Sequence, residues 1–144
     1  MSTVFSKIID GELPGRFIWR DQKCAAFLSI APLAYGHTLV VPRQEVDRWT
    51  DADAELVTHL TTVAQRIGTA QVEAFGSQRS GLTIAGFEVA HLHLHVWPSN
   101  SMEDHDFANT IDDPDPAQMD EAAEKLRVAL RLMGETAHVP EEES

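Results

Sequence analysis

The strongest chemical signal in the chain is one heptapeptide, His91-Leu92-His93-Leu94-His95-Val96-Trp97. Successive side chains of an extended strand alternate between faces. His91, His93, His95 and Trp97 therefore share one face, and Leu92, Leu94 and Val96 share the other. The apolar face is suited to packing on a helix. The imidazole face is not ordinary core, because three neighbouring buried rings would need many hydrogen-bond partners. Three in register, in a chain with only seven histidines, mark a candidate site.

Two chemistries fit such a face. A His-x-His pair can bind zinc, since residues i and i+2 lie about 6.6 Å apart along a strand and can converge. Residues i and i+4 are about 13 Å apart, so one ion cannot readily take all three, and a further ligand such as His37 is needed. The other use is phosphoryl chemistry. A neutral imidazole is a good nucleophile toward phosphorus, and its neighbours can donate hydrogen bonds to the non-bridging oxygens. A carbonyl or second imidazole on the nucleophile's other nitrogen fixes its tautomer. This use gives each histidine a distinct task and needs no external ligand, and is preferred.

Alternating patterns and turn residues predict the elements that must carry these side chains. The first forty residues read as β structure with turns, Ile8-Ile9 leading into Asp10-Gly11-Glu12-Leu13-Pro14-Gly15. Strands are expected over 16–20, 23–29, 36–42, 81–85 and 91–97, with Pro42 and Pro98 as stops. A long helix is expected from a Thr50 cap, with Asp51 and Asp53 in its first turn, to a stop at Gly76. Leu56, Leu60, Val63, Ile67, Ala70 and Ala74 form its apolar stripe, and His59 reads as a surface residue beside it. A last helix over about 116–133 starts from Asp115 as cap and Pro116, with Met119, Ala122, Leu126, Leu130 and Met133 as its stripe and Gly134 as its end. The residues after it, through Ser144, are expected to fray. Five strands and a long helix in irregular order predict an α+β fold.

Length and charge bound the rest. A chain of 144 residues is one domain by size. Its net charge of −12 is uneven: residues 1–100 hold ten acids and eight bases, residues 101–144 thirteen acids and three bases. The first hundred residues read as the domain core, and the remainder as an acidic extension of the same domain that aids solubility. This balance argues against coating nucleic acid or an anionic membrane. The single cysteine, Cys24, excludes an internal disulfide and lies in an apolar run, which predicts a buried inert thiol. Without an apolar run of spanning length or a secretory leader, the chain reads as soluble and cytoplasmic.

The heptapeptide matches His-φ-His-φ-His-φ-φ, with φ apolar, and here the sequence resembles the histidine triad (HIT) superfamily. The likeness extends over Ile8-Ile9-x-Gly11-Glu12-x-Pro14, Phe27-Leu28-Ser29-Ile30-x-Pro32 and Gly36-His37-Thr38-Leu39-Val40-Val41-Pro42, covering roughly residues 4–98. The resemblance implies a homodimer whose two five-stranded antiparallel sheets join into one, with a long helix and a C-terminal helix on each. It also implies hydrolysis or transfer at the α-phosphorus of a nucleotide through a nucleotidyl-histidine that water resolves. By position, His93 would be the nucleophile, His95 would contact the phosphate or leaving group, and His91 and His37 would support and orient His93. The base pocket, suited to a purine, would draw on Val4, Phe5, Ile8, Phe27, Leu28 and Ile30.

Three departures from the family pattern bear on chemistry. Ser29 stands where the family often has an Asp that accepts bonds from both ribose hydroxyls, and a neutral hydroxyl does this less well. The segment before the triad, 82–90, is several residues short and lacks the usual Asn and Gln. Glu88 takes the place of the phosphate-contacting Ser/Thr, where a carboxylate repels phosphate unless it points away or is protonated. The CxxC-like pair some relatives carry near the N-terminus is absent (Phe5-Ser6-Lys7-Ile8), which removes zinc there, and no cofactor is implied. The resulting expectation is a nucleotide hydrolase or transferase acting on nucleoside phosphoramidates or related conjugates. The alternatives are a nucleotide-binding module with weak or no catalysis and, third, a metal-dependent hydrolase.

Overall fold

A computed structural model describes residues 2–141. Its centre is a five-stranded antiparallel sheet in the order β1-β2-β3-β5-β4, formed by β1 (Phe17–Arg20), β2 (Cys24–Leu28), β3 (Thr38–Pro42), β4 (Arg79–Thr83) and β5 (Leu94–Ser99). Three helices complete the α+β architecture: α1 (Val4–Ile9), α2 (Ala54–Phe75) and α3 (Pro116–Leu132).

The alternation of side chains along the strands divides the core in two. Ile18, Ala26, Leu28, Val40, Leu92, Leu94 and Val96 pack on one face with Leu60, Val63 and Ile67 of α2 and Leu126 and Leu130 of α3. On the opposite face Phe17, Ala25, Phe27, Leu39 and Val41 pack with Phe5 and Ile9 of α1. The apolar half of the histidine heptapeptide thus faces the long helix, which leaves the imidazoles on the other side. Gln71 of α2 is fully buried behind them and donates Nε2–H to the carbonyls of Gly36 and Val96, tying β3 to β5.

Several boundaries differ from expectation for identifiable reasons. Residues 4–9 are helical rather than β, since Thr3 caps the segment by accepting from Ser6 N–H and Phe5 and Ile9 fall on one buried face. Six residues are too few for a period of 3.6 to show in sequence. The long helix starts at Ala54 after Asp53, not from a Thr50 cap, because Trp49–Asp51 forms a separate 3-10 turn held by the Arg48–Asp51 ion pair. Its end is as expected, with Gly76 left-handed at φ 64°. β4 begins two residues before the expected 81. Gly81 lies inside it because a Cβ there would come within 2.6 Å of the Trp97 ring. β5 begins at Leu94 and runs through Pro98 to Ser99. Pairing with β3 has ended at Val96, so the absent N–H of Pro98 costs no bond on that side.

α3 matches expectation, with the Asp115 carboxylate accepting from Ala117 N–H and Pro116 in first position. The segment after it is packed rather than frayed up to residue 140. His138 stacks on Trp19 at 4.7 Å, Val139 is buried, and Arg131 Nη2–H donates to the Pro140 carbonyl. The fraying expected at 142–144 lies outside the described residues. No helix among the described residues is long and apolar enough to cross a membrane.

Candidate active site

The four histidines sit where β3 and β5 meet their leading loops, and backbone groups dictate the protonation of each ring. His93 Nδ1 lies 2.7 Å from the carbonyl of His91. A carbonyl only accepts, so Nδ1 carries the proton and Nε2 of the neutral ring keeps its lone pair. His37 is fixed from the opposite direction. Leu33 N–H donates to its Nδ1 at 2.9 Å, leaving the proton on Nε2, which donates to His95 Nδ1 at 3.0 Å. His95 therefore holds its own proton on Nε2. The two rings differ in the consequence: His93 offers a lone pair and His95 offers an N–H.

The surroundings keep these rings neutral. Burial, and secondarily the neighbouring His95, push His37 down from the ordinary 6.5 to about 3. His95 is pushed down to about 4 by burial and by His93. His93 is lowered chiefly by burial, against an upward pull from its bond to the His91 carbonyl and from the Glu88 carboxylate. The rings of His93 and His95 are 4.9 Å apart edge to face, and Phe5 of α1 closes on His93 at 4.8 Å.

A cleft of about 740 Å³ opens in front of His93 and His95. Val4, Phe5 and Ile8 of α1, Phe27 and Leu28 of β2, and Ser29 and Ile30 after it line the cleft. Glu88 faces them from the pre-triad loop. All of the sequence-predicted pocket residues thus border one space, with Phe5, Phe27 and Leu28 also belonging to the core. Ser29 Oγ accepts from Ala31 N–H at 3.2 Å, which shapes the turn after β2.

Two expected supports are arranged differently. His37 meets His95, so it bears on His93 only through that ring. His91 supports His93 with its backbone carbonyl, while its own ring is engaged by the Pro42 carbonyl at Nε2, 2.8 Å, and by Thr3 Oγ1 at Nδ1, 2.6 Å. With both nitrogens occupied, His91 is not free to join a His-x-His zinc site with His93.

Sequence reasoning missed Thr3, Phe107 and Arg16. Phe107 stands edge-on to His95 at 5.0 Å and to Trp97 at 5.8 Å, brought back by a loop of 3-10 turns after β5. A lone aromatic in the acidic stretch 101–115 was its only trace in sequence. Arg16 borders the cleft, with its Nε held by Asp120 at 2.7 Å.

His59 is not a bystander on the helix surface, since its Nε2 lies 2.8 Å from Asp21 Oδ2. Burial tends to raise Asp21, but hydrogen bonds from Trp19 Nε1, the Cys24 and Lys23 amides and His59 outweigh it and hold the carboxyl at about 2. Cys24 completes this cluster and is buried, its thiol pushed far up by burial and by Asp21, in keeping with an inert cysteine.

A family model of the HIT domain matches residues 10–102. The chain belongs to the HIT family. An uncharacterized HIT-like protein of Methanocaldococcus jannaschii is 33% identical over 99 residues, 66% of this chain and 77% of that protein. Among solved structures, a zinc-bound histidine triad family protein from Mycobacterium smegmatis superimposes with a TM-score of 0.81 at 32% identity, covering 94% of this chain and 98% of the other. A HIT family hydrolase from Legionella pneumophila gives a TM-score of 0.61 at 28% identity, covering 70% and 96%.

Proposed function

We propose that this HIT protein hydrolyses nucleoside phosphoramidates or related nucleotide conjugates at the α-phosphorus, with His93 as nucleophile. The observation that carries the reading is the opposed tautomers of His93 and His95, a lone pair and a proton side by side at one cleft. In the first step the His93 Nε2 lone pair forms a bond to phosphorus, and the bond from phosphorus to the leaving nitrogen breaks with its electron pair on that nitrogen. The leaving amine takes the proton of His95 Nε2, and the imidazolate this leaves is stabilised by the His37 Nε2–H bond to its Nδ1 until water reprotonates it. Water then supplies hydroxide to phosphorus and a proton to His95, and the bond from phosphorus to His93 breaks. His93 Nδ1–H stays on the His91 carbonyl throughout, which stabilises the charge on the substituted ring.

The aromatic and aliphatic walls of the cleft suit a purine base. Ser29 and Glu88 support a second reading, a nucleotide-binding module with weak catalysis, because one offers no carboxylate to the ribose and the other sets a carboxylate near the phosphate position. We also propose a homodimer. β4 is an edge strand, and its Leu82 is 51% exposed, so pairing two copies through β4 would join their sheets and cover that side chain. A cytoplasmic setting suits the single unpaired thiol.

The test is turnover of a fluorogenic adenosine phosphoramidate by wild type and His93→Ala, with mass spectrometry of the quenched enzyme. Loss of turnover by roughly a thousandfold or more in the variant, and a nucleotidyl adduct on wild type alone, are expected. Equal turnover by the two proteins would sink the assignment. Micromolar nucleotide binding by calorimetry with no adduct would favour the binding module.

A further inference from the structure

The His91 ring touches neither the cleft nor the other triad rings by hydrogen bonds, yet both its nitrogens are engaged. The Pro42 carbonyl accepts from Nε2–H, so Nδ1 of the neutral ring is an acceptor and the Thr3 hydroxyl must donate to it. That spends the one proton of Thr3 Oγ1, which accepts from Ser6 N–H at 3.1 Å. Ser6 Oγ–H in turn donates to Glu45 Oε2, and Thr3 N–H donates to the same oxygen at 3.1 Å. Every donor in this chain has an acceptor; Ser6 Oγ also lies 3.4 Å from Thr3 Oγ1, too long to compete with His91 Nδ1 at 2.6 Å. At its far end the carbonyl of His91 receives His93 Nδ1–H.

We infer that Thr3 and Glu45 are positioning residues for the nucleophile: Glu45 anchors Thr3 and Ser6, Thr3 orients His91, and the His91 carbonyl sets the tautomer of His93. The inference rests on His93 being the nucleophile. A second contact runs alongside, since Phe5, two residues after Thr3 on α1, packs its ring on His91 at 5.9 Å and on His93 at 4.8 Å. Glu45 is drawn below the usual carboxylate range by the bonds from Ser6 and then Thr3, in keeping with a carboxylate that stays ionised as the anchor. The arrangement crosses from α1 to the loop after β3 and to the loop before β5, segments 42 and 88 residues from Thr3 in sequence. Without it, the loop that carries His91 is held by the Leu92 N–H bond to the Val46 carbonyl and by the bond to Pro42.

The experiment compares Thr3→Val, Thr3→Ser, Glu45→Ala and Glu45→Gln by steady-state kinetics and by ¹⁵N spectra of the histidine rings. Thr3→Val is expected to lower kcat roughly ten-fold; it also removes the cap of α1 beside the cleft, so KM is read in Glu45→Ala, which keeps that cap and should leave KM within about two-fold. Thr3→Ser is expected to restore kcat. Glu45→Ala leaves the Thr3 cap on Ser6 N–H in place and is expected to move kcat in the same direction, whereas Glu45→Gln, which keeps an acceptor oxygen, stays near wild type. In Thr3→Val the ¹⁵N resonance of His91 Nδ1 should lose its hydrogen-bonded shift, and His93 should show an admixture of the Nε2–H tautomer.

Unchanged ring spectra in Thr3→Val and Glu45→Ala would overturn the relay, as would equal kcat in Thr3→Val and wild type, or a loss that Thr3→Ser fails to restore. The spectra need no substrate, so they decide the relay even if the wild-type protein turns over no phosphoramidate. That result would instead count against the proposed function.

Discussion

His37 donates Nε2–H to His95 Nδ1 across 3.0 Å, and this single bond decides which nitrogen of His95 faces the cleft with a proton. His37 is only 1% exposed and receives Leu33 N–H on its other nitrogen, so solvent cannot reverse the direction of donation. The ring is an orienting group whose own chemistry is silenced by burial.

Replacing it should separate substrates by leaving group. His37→Phe removes the donor and frees His95 to take the Nδ1–H tautomer, which turns its Nε2 into an acceptor. For an amine leaving group, which needs a proton, kcat/KM should fall about a hundredfold, the scale of general-acid assistance. For an acidic phenol the fall should be much smaller. A series of nucleotide conjugates graded by leaving-group basicity checks this, and equal losses along the series would refute the role of His95 as acid.

The depressed histidines make both activity and stability depend on pH in a definite direction. The proposed attack needs neutral His93, whose value is lowered in the fold, so the acid limb of kcat/KM should lie below the ordinary 6.5. For stability, the unfolded rings take up protons near 6.5, whereas the folded ones do so only near 4 for His95 and near 3 for His37. The unfolded state then binds more protons within that window. The stabilisation is complete above 6.5 and is lost as pH falls through it, by about 1.4 kcal/mol per pH unit for each histidine. Denaturant melts at pH 7.0, 5.5 and 4.5 check this, and the midpoint should fall less steeply for His37→Phe than for wild type. Parallel slopes would count against it.

The acidic C-terminal third is a further testable point, because it holds a helix that completes the core, while its excess negative charge lies in the segments flanking that helix. Met119, Ala122, Ala123, Leu126 and Leu130 of α3 are buried, and Arg127 Nε–H donates to the Phe17 carbonyl of β1 at 2.9 Å. Burial of an aliphatic side chain of this size is worth about 1.5–3 kcal/mol. Removing residues 101–144 should therefore cost about as much as the 5–15 kcal/mol that holds a domain together. The truncated chain is expected to lose its cooperative thermal transition. Retention of a sharp melt would show that 1–100 folds alone.

Much of this architecture was legible in the residues. Leu60, Val63 and Ile67 announced α2, and Asp115-Pro116 announced the start of α3, because helical periodicity and capping are written in local order. The alternation of His91, His93 and His95 with Leu92 and Leu94 likewise placed imidazoles and core on opposite faces. Other features carried no local signal. α1 is too short to show a period, and nothing local to Gly81 announces the Trp97 ring that excludes a Cβ there.

By itself the sequence determined the family, the triad, the residues around one cleft, and the near-neutral balance of residues 1–100 against the acidic remainder. The tertiary structure alone decided what each histidine can do. A ring's tautomer depends on the acceptor or donor opposite each nitrogen. Here those are the carbonyl of Pro42, the hydroxyl of Thr3, the amide of Leu33 and the ring of a histidine 58 positions away. Such partners meet only when β3, β5 and α1 are packed, and until then the four imidazoles are chemically alike.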